Sequence, residues 1–433
     1  MSSEKIRTLR DFVSLQRGTT YKGNLVGLPG PVLLGLASIE PNGGFRYGGY
    51  KSYGGECPEK ISLRPGDLYV SLKDVTQSGD LLGSIARIPP DIPSGRLTQD
   101  TVKLVFDGIS IPKDYIYWLL RTPSYRDYCR GCATGTTTLG LARDDFLDYP
   151  VPEPSPADLL LVELLEAAEK RITLLRETNT TLEAIAQALF KSWFVDFDPV
   201  HAKQHGGIPD SMDEATAALF PDSLEQSELG LAPSGWRAGV LGDIAVTVRR
   251  QLQPSEFRSE LNYVGLEHIP RKSLSLADWG VAAGLESSKS AFSKGDILFG
   301  KLRPYFHKVV VAPFDGVCST DILVCQPKKP VYYGLAVMYL SSAALIDYAD
   351  RLSNGAKMPR VNWKDLASYP ICVPTEGLAA AFSDAVSPLM SRILSTAHEA
   401  HTLARLRDPL LPRLLSGQLR LAEAESLIDE VAA

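Results

Sequence analysis

The sequence predicts an α+β protein in which a long antiparallel two-helix coiled coil separates two similar α/β modules, with an internal pseudo-twofold repeat. Three observations predict this arrangement. One order of short motifs occurs twice, at an offset of about 220 residues. Each copy ends in a long stretch of apolar residues at heptad spacing, which is typical of paired helices. The length of 433 residues is enough for more than one domain.

The repeat is clearest between residues 134–154 and 354–374. Gly135 aligns with Gly355, and Tyr149 aligns with Tyr369 at the same offset. Further matched pairs are Asp127 and Tyr128 with Asp347 and Tyr348, Asp145 with Asp365, and Gly66 and Asp67 with Gly295 and Asp296. A chain that carries one module twice is expected to contact two similar targets.

Within each module, short β-rich runs alternate with Gly and Pro clusters, which predicts mixed α/β structure. The first module is expected to have strands at 67–71, 82–86 and 101–106, a helix at 114–120 and another helix from about 124. The second is expected to have strands at 296–300, 308–312 and 321–325 and a helix near 334–342.

A heptad stretch follows each module. Pro154 and Pro156 mark the start of the first stretch, and the second begins at about Leu378. Asn179 interrupts the apolar positions of the first, and Arg407 those of the second. Two such helices of about 35 residues, each roughly 50 Å long, are expected to pair, with Asn179 fixing the register. The alternative is that each apolar stripe packs only on its own module.

The net charge of −6 is unevenly distributed along the chain. Residues 1–150 carry +2 and residues 236–375 carry +5, whereas residues 151–235 carry −10 and residues 376–433 carry −3. The modules are therefore mildly basic and the connecting segments acidic. This pattern favours nucleic acid as the ligand of the modules and proteins as partners of the helices.

Motifs for catalysis are missing from the sequence. It contains no GxxxxGKS/T phosphate loop, no GxGxxG cofactor turn, no HExxH zinc motif, no GxSxG nucleophile elbow and no Asp/Asn-Pro-Pro-aromatic segment of the adenine methyltransferases. Cys129 and Cys132 form a lone CxxC without a second pair at zinc-finger spacing. We therefore expect no catalytic residue, no metal and no cofactor bound to this chain.

No apolar run in the sequence is long enough to cross a bilayer. The first residues, Met-Ser-Ser-Glu-Lys, lack the apolar core of a secretion signal. A cytoplasmic location is therefore expected.

Basic and aromatic residues cluster in the loops of both modules. Arg and Lys suit phosphates and guanine edges, and Asn, Thr and Tyr add hydrogen bonds. The candidate DNA-binding residues of the first module are Arg17, Lys22, Arg46, Tyr47, Tyr50, Lys51, Lys73 and Thr136. Those of the second module are Arg249, Arg250, Lys301, Arg303, Tyr305, Lys308, Lys357, Arg360 and Asn362. The alternative for each of them is a solvated surface residue.

The ends of the two heptad stretches resemble a known protein family. Residues 190–197, Phe-Lys-Ser-Trp-Phe-Val-Asp-Phe, and residues 406–417, Leu-Arg-Asp-Pro-Leu-Leu-Pro-Arg-Leu-Leu-Ser-Gly, resemble the conserved regions of the specificity (S) subunit of Type I restriction–modification enzymes. The entry to the second module at 227–236, which ends in Pro-Ser-Gly-Trp, resembles the family as well. The first module lacks this entry, and the Glu-Gln pair usual at the start of each conserved helix is absent.

The resemblance implies that each module is a target recognition domain that reads one half of a bipartite site in double-stranded DNA. The helices would set the spacer between the half-sites and dock two methyltransferase (M) subunits. Those partners would bring S-adenosylmethionine, and motor-nuclease (R) subunits would complete the complex. The implied coiled-coil and docking residues are Leu161, Leu175, Asn179, Leu182, Phe190, Trp193, Phe194, Leu389, Leu403, Leu410 and Leu414.

The expected domains follow from this layout. They are recognition domains at 1–153 and 236–375, conserved helices at 154–197 and 376–417, an acidic linker at 198–235 and a C-terminal tail at 418–433. Two other functions stay open. One is an enzyme with a fused catalytic domain, and the other is a non-enzymatic coiled-coil scaffold that binds proteins through its globular ends.

Overall fold

A computed structural model describes residues 7–47, 49–76, 78–106, 108, 111–207, 212–355, 357–408 and 410. The chain divides into two compact units. Unit 1 comprises residues up to 170 together with those from 404 onward, and unit 2 comprises residues 171–403. Among the described helices, none has the length and apolar character needed to cross a membrane.

Unit 1 contains mixed sheet and helix. Its strands are β1 (Val13–Arg17), β2 (Val32–Leu34), β3 (Ser62–Leu63), β4 (Leu68–Ser71), β5 (Lys73–Asp74), β6 (Ile85–Arg87), β7 (Gly95–Leu97), β8 (Thr101–Phe106) and β9 (Leu139–Gly140). Its helices are α1 (Lys113–Leu119), α2 (Pro123–Gly131), α3 (Arg143–Leu147) and the first part of α4 (Pro156–Phe194). The strands form an antiparallel sheet in the order β1-β8-β4-β6, a second sheet β2-β7-β3, and the pair β5-β9.

Unit 2 contains the rest of α4 and a second set of strands and helices. Its further helices are α5 (Asp198–Gln204), α6 (Glu214–Ala218), α7 (Leu241–Ile244), α8 (Tyr333–Ser341), α9 (Ala343–Leu352), α10 (Trp363–Ala367) and most of α11 (Glu376–Arg407). Its strands are β10 (Leu224–Ser227), β11 (Gly230–Pro233), β12 (Arg237–Val240), β13 (Ala245–Val248), β14 (Gln251–Leu252), β15 (Asn262–Val264), β16 (Gly280–Val281), β17 (Lys289–Phe292), β18 (Ile297–Gly300), β19 (Val309–Val311), β20 (Gly316–Cys318), β21 (Ile322–Pro327) and β22 (Pro370–Val373). The sheets are ordered β13-β21-β18-β19 and β14-β17-β20-β15-β16, with the pairs β10-β11 and β12-β22.

The internal repeat is confirmed by the sheets. The order β1-β8-β4-β6 in unit 1 matches β13-β21-β18-β19 in unit 2, and both sheets are antiparallel throughout. The aligned tyrosines have the same structural role in each unit. The carbonyl of Tyr149 accepts the Leu9 N–H at 3.0 Å, and the carbonyl of Tyr369 accepts the Leu241 N–H at 2.8 Å. The same backbone hydrogen bond therefore joins the start of the module to its end in both copies.

The two long helices pair antiparallel within unit 2. Arg171 of α4 forms an ion pair with Glu399 of α11 at 2.7 Å. Further along α4, the Phe194 ring contacts the Phe382 ring, with centroids 4.8 Å apart. The residue number therefore rises along one helix as it falls along the other. Asn179 is buried between them and donates to the Ile393 carbonyl at 3.3 Å, which agrees with the expected polar interruption of the seam.

Each helix also packs its first turns on its own module. Leu161 and Leu165 of α4 lie in the core of unit 1 with α1 and α2, and Leu378 of α11 lies in the core of unit 2 with α8 and α9. The first turns of each helix therefore pack on their own module, as the alternative expectation had it. Beyond those turns, the two helices pair with each other. Of the other coiled-coil candidates, Leu175 and Leu403 are buried, Leu182, Leu389 and Leu410 are half-buried, and Leu414 lies outside the described residues.

Most expected elements are found within two residues of their predicted bounds, but the strand expected at 82–86 begins only at Ile85. The preceding residues form a turn instead. Gly79 and Gly83 adopt positive φ angles of 71° and 70°, in the left-handed region that suits turns and not strands. The expected linker at 198–235 forms α5, α6 and the β10-β11 hairpin.

Candidate nucleic-acid interface

One edge of the four-stranded sheet has the same construction in both units. In unit 1, β1 and β4 end where β8 begins, so that Arg17 lies opposite Val102 and Ser71 lies opposite Thr101. In unit 2, β13 and β18 end where β21 begins, and Gly300 lies opposite Ile322. We call this the loop edge. It consists of residues 17–18, 71–74, 98–101 and 134–140 in unit 1 and of 249–250, 300–303, 319–322, 354–355 and 357–360 in unit 2.

Each loop edge contains a hairpin that is closed by the same pair of backbone hydrogen bonds. In unit 1 the N–H groups of Thr134 and Gly140 donate to each other's carbonyls at 2.9 and 2.8 Å. In unit 2 Asn354 and Arg360 do the same at 3.0 and 2.9 Å. The second residue of each hairpin is a glycine with positive φ, 98° at Gly135 and 116° at Gly355. The two hairpins thus share their closing hydrogen bonds and the conformation of their glycine, while their sequences differ.

Each hairpin is attached to the loop that follows the central strand. In unit 1, Gly140 pairs with Lys73, and the Leu141 N–H donates to the Leu72 carbonyl at 3.0 Å. In unit 2, Arg360 forms a bridge with Leu302, and the Val361 N–H donates to the Lys301 carbonyl at 3.1 Å. The attachment holds the hairpin against the sheet. The side chains of its tip are exposed, Thr136 and Thr137 in unit 1 and Lys357 and Met358 in unit 2.

An aspartate precedes β8 and β21 and pairs with a cation of the loop edge. Asp100 accepts from Lys73 at 3.1 Å. Asp321, 221 positions later, accepts from two nitrogens of Arg360 at 3.0 and 3.3 Å. The sequence analysis did not identify either aspartate, although their separation matches the offset of about 220 residues between the two copies of the repeat. They orient the long side chains of Lys73 and Arg360 and neutralise part of the local positive charge.

The remaining cations of the loop edges form no ion pair with any residue that the structure describes. These are Arg17 in unit 1 and Arg249, Arg250, Lys301, Arg303 and Lys357 in unit 2. Arg17 is the last residue of β1, and Arg249 directly follows the last residue of the equivalent strand β13. The two arginines therefore occupy corresponding places in the two units. The loop edge of unit 2 is therefore the more basic of the two.

A second group of candidates in unit 1 belongs to the β2-β7-β3 sheet and its loops. The Phe45 ring contacts the rings of Tyr47 and Tyr50, with centroids 5.2 and 5.5 Å away, and the Tyr47 hydroxyl donates to Asp91 at 3.1 Å. Burial raises the pKa of the Tyr50 hydroxyl. Lys22, Arg46 and Lys51 are exposed in the same region. The sequence candidates of unit 1 are thus divided between the loop edge and the loops of the β2-β7-β3 sheet.

Three candidates of unit 2 have internal hydrogen-bond partners. The Lys308 ammonium donates to the Leu266 carbonyl, and burial lowers its pKa. The Asn362 side chain caps α10 by accepting the Asp365 N–H at 3.0 Å. Arg303 donates to the Lys357 carbonyl at 3.2 Å and so braces the hairpin. The exposed ring of Tyr305 follows it in the chain.

The described residues contain no group of three or more His, Cys, Asp or Glu side chains arranged to hold a metal ion. The histidines at 201 and 205 are bonded within α5 and its end, since the His205 ring contacts the His201 carbonyl at 2.7 Å. The cations without ion pairs and the exposed hairpin tips make the loop edges suited to binding a polyanion and to making directional hydrogen bonds.

No family model matches the chain. Curated proteins similar in sequence are Type I restriction enzyme specificity subunits. The MjaIX subunit of Methanocaldococcus jannaschii is 23% identical over 329 residues, which cover 72% of each chain. The EcoDI subunit of Escherichia coli is 28% identical over 62% of this chain and 61% of its own, less than two thirds of that protein. The HindI subunit of Haemophilus influenzae is 28% identical over 63% of this chain and 69% of its own.

A solved structure extends the similarity to the fold. The crystal structure of the S subunit of a Type I restriction–modification system from M. genitalium has 16% sequence identity and a TM-score of 0.53, and the match covers 96% of this chain and 97% of that one. The chain is therefore similar in sequence to Type I restriction enzyme specificity subunits, and it shares its fold with a solved S subunit along nearly its whole length.

Proposed function

We propose that this chain is the non-catalytic DNA-recognition subunit of a Type I restriction–modification complex, and that each loop edge reads one half of a bipartite site. The observation that carries the proposal is the duplicated hairpin. Its closing hydrogen bonds and the positive φ of its glycine are the same in both units, whereas the exposed residues of the tip differ. Two similar supports with different tips are suited to two half-sites of different sequence.

In the proposed mechanism, the unpaired cations bind phosphates and the hairpin tips contact base edges. Arg17 and Arg249 stand at the same place in the two units and would position each domain on the DNA backbone. The hydroxyl groups of Thr136 and Thr137 both donate and accept hydrogen bonds, whereas Lys357 only donates. The two half-sites are therefore expected to differ in base sequence.

The long helices are proposed to set the spacer and to dock the M subunits, which would carry S-adenosylmethionine. Leu159, Leu174 and Ile185 of α4 and Leu406 of α11 are large apolar side chains left exposed, as expected of surfaces that a partner covers. Phe190, Trp193 and Phe194 are buried inside unit 2, so their proposed contribution is to hold the end of α4 in place. R subunits would complete the complex.

The test is methylation mapping by single-molecule sequencing in cells that express this chain with its neighbouring M subunit. Detection of a bipartite methylated motif that disappears when this chain is deleted is expected. If methylation is unchanged by the deletion, the proposal is wrong. The purified chain is then tested for salt-sensitive binding to duplex DNA, and the absence of such binding would favour the protein-scaffold function.

A further inference from the structure

Two glutamates of α4 hold the module of unit 1 through a set of charged hydrogen bonds. Glu166 accepts from both terminal nitrogens of Arg87, at 2.9 and 2.5 Å, and from the Trp118 indole N–H at 2.7 Å. One turn further on, Glu169 accepts from Arg121 at 3.0 Å and from the Tyr117 hydroxyl at 3.2 Å. We call these residues the charged seam.

The charged seam is substantially buried. The side chain of Arg121 is 7% exposed, and its guanidinium lies over the Trp118 ring at 4.5 Å. Burial alone would raise the pKa of Glu169, but the nearby guanidinium groups of Arg121, Arg407 and Arg87 outweigh it and hold that pKa below its ordinary value. The carboxylate therefore keeps its charge at neutral pH. Paired planar groups of this kind accept only a narrow range of orientations.

The repeat shows that this contact can be made without charge. The positions in unit 2 that match Arg87, Tyr117, Trp118 and Glu169 through the strand, helix and heptad registers are Val311, Val337, Met338 and Met390. All four belong to one apolar core. Arg121 is matched by Ser341, whose hydroxyl donates to the Val337 carbonyl of its own helix at 2.8 Å. Apolar burial is non-directional. The charged hydrogen bonds of unit 1 differ from it because they fix the orientation of the groups that they join.

We propose that Glu166 and Glu169 are positioning residues that fix the angle of the first recognition domain on α4, and that this angle makes the complex strict about spacer length. The inference rests on the proposed function. An apolar contact at this place would hold the domain but allow it to tilt. The directional bonds of Arg87 and Arg121 remove that freedom, so that one spacing of the half-sites fits.

The experiment uses the full chain with its M subunit and maps methylated sites by their half-site bases and spacer length. The Glu166→Gln/Glu169→Gln double variant is compared with Glu163→Gln, which removes one carboxylate charge from an exposed position of the same helix. The double variant is expected to methylate the same bases in both halves. Sites with a spacer one base pair longer or shorter should gain methylation by about tenfold over wild type, the factor of one charged hydrogen bond.

If the double variant keeps the wild-type spacer as strictly as Glu163→Gln does, the inference is wrong. If the double variant methylates nothing, Arg87→Lys is tested instead, because lysine keeps the positive charge and loses the paired hydrogen bonds to Glu166. An Arg87→Lys variant that methylates only sites with the wild-type spacer length also overturns the inference. Failure of the proposed function itself is distinct, because the wild-type chain would then give no bipartite motif.

Discussion

Glu183 is a buried carboxylate beside the polar interruption of the helix pair. Its side chain accepts from the Ser273 hydroxyl at 2.9 Å and from the Ser275 N–H at 3.1 Å. Ser275 also accepts from Asn179 at 3.0 Å. The residues therefore join α4 to a loop of the second module. Burial raises the pKa of Glu183, and its hydrogen bonds only partly offset that rise.

This pKa predicts how the Glu183→Gln variant behaves. A carboxyl group whose folded pKa exceeds its unfolded pKa binds its proton more tightly in the folded state, so stability falls as pH rises from the ordinary value of 4.5 through the folded pKa. Gln keeps the acceptor oxygen and carries no charge. At pH 7 the variant should unfold at higher temperature, with a gain of the order of 1 kcal/mol, and the gain should vanish near pH 4.

Thermal unfolding from pH 4 to pH 8 measures this gain. Glu177→Gln, an exposed change on the same helix, is the control and should show no gain. A lower melting temperature for Glu183→Gln at pH 7 would mean that the ionised carboxylate stabilises the loop contact.

Lys301 and Lys357 predict the salt dependence of DNA binding by unit 2. Both are at the loop edge and have no ion pair among the described residues. If each contacts one phosphate, Lys301→Ala and Lys357→Ala should each reduce the slope of log affinity against log salt by about 1. Lys294→Ala, at the opposite end of β18, is the control, and an equal effect there would show that only net charge matters.

At the scale of elements, the glycine of each hairpin adopts a left-handed backbone conformation that sets the position of the hairpin tip proposed to contact DNA bases. Gly135 has a φ of 98°, and a Cβ there would lie 2.3 Å from the Thr138 carbonyl oxygen. Gly66 also has a positive φ, 82°, but a Cβ there meets nothing within 4 Å. An alanine at Gly66 would therefore meet only the free-energy cost of a left-handed backbone. An alanine at Gly135 would meet that cost and would also distort the hairpin.

Gly135→Ala is predicted to weaken recognition of one half-site only. The left-handed backbone costs an alanine roughly 1–2 kcal/mol in either variant, but in Gly135→Ala the carbonyl of Thr138 must also move, which displaces the tip. Methylation mapping should show relaxed bases in one half of the motif for Gly135→Ala and an unchanged motif for Gly66→Ala. Relaxation of both halves together would contradict the assignment of one half-site to each unit.

The sequence predicted the helices better than it predicted the loop edges, for physical reasons. Helix periodicity and the prolines before α4 are local signals, so the paired helices and the place of Asn179 were expected correctly. The pairing of Lys73 with Gly140, and of Lys73 with Asp100, joins residues far apart in the chain, and no local pattern encodes it. Lys308 and Asn362 have the composition of DNA contacts, but only the fold shows the internal partners that they bind.

At the scale of the whole molecule, α4 begins in unit 1 and ends in unit 2, which is the basis for expecting the helices to set the spacer. Both α4 and α11 can be lengthened at a place between two of the polar contacts that join them. One contact joins Arg171 to Glu399, and another joins Asn179 to Thr396. Because the helices are antiparallel, the segments between these contacts face each other.

Inserting one heptad between Arg171 and Asn179 and another between Thr396 and Glu399 should therefore preserve both contacts. Seven residues add about 10 Å of helix, roughly three base pairs along DNA. The methylated motif should keep the bases of both halves and gain a spacer longer by about that number. A heptad inserted between Arg171 and Asn179 in α4 alone is the control, because only one of the two contacts can then form, and it should abolish methylation. Altered bases with an unchanged spacer in the double insertion would show that the helices do not set the distance between the half-sites.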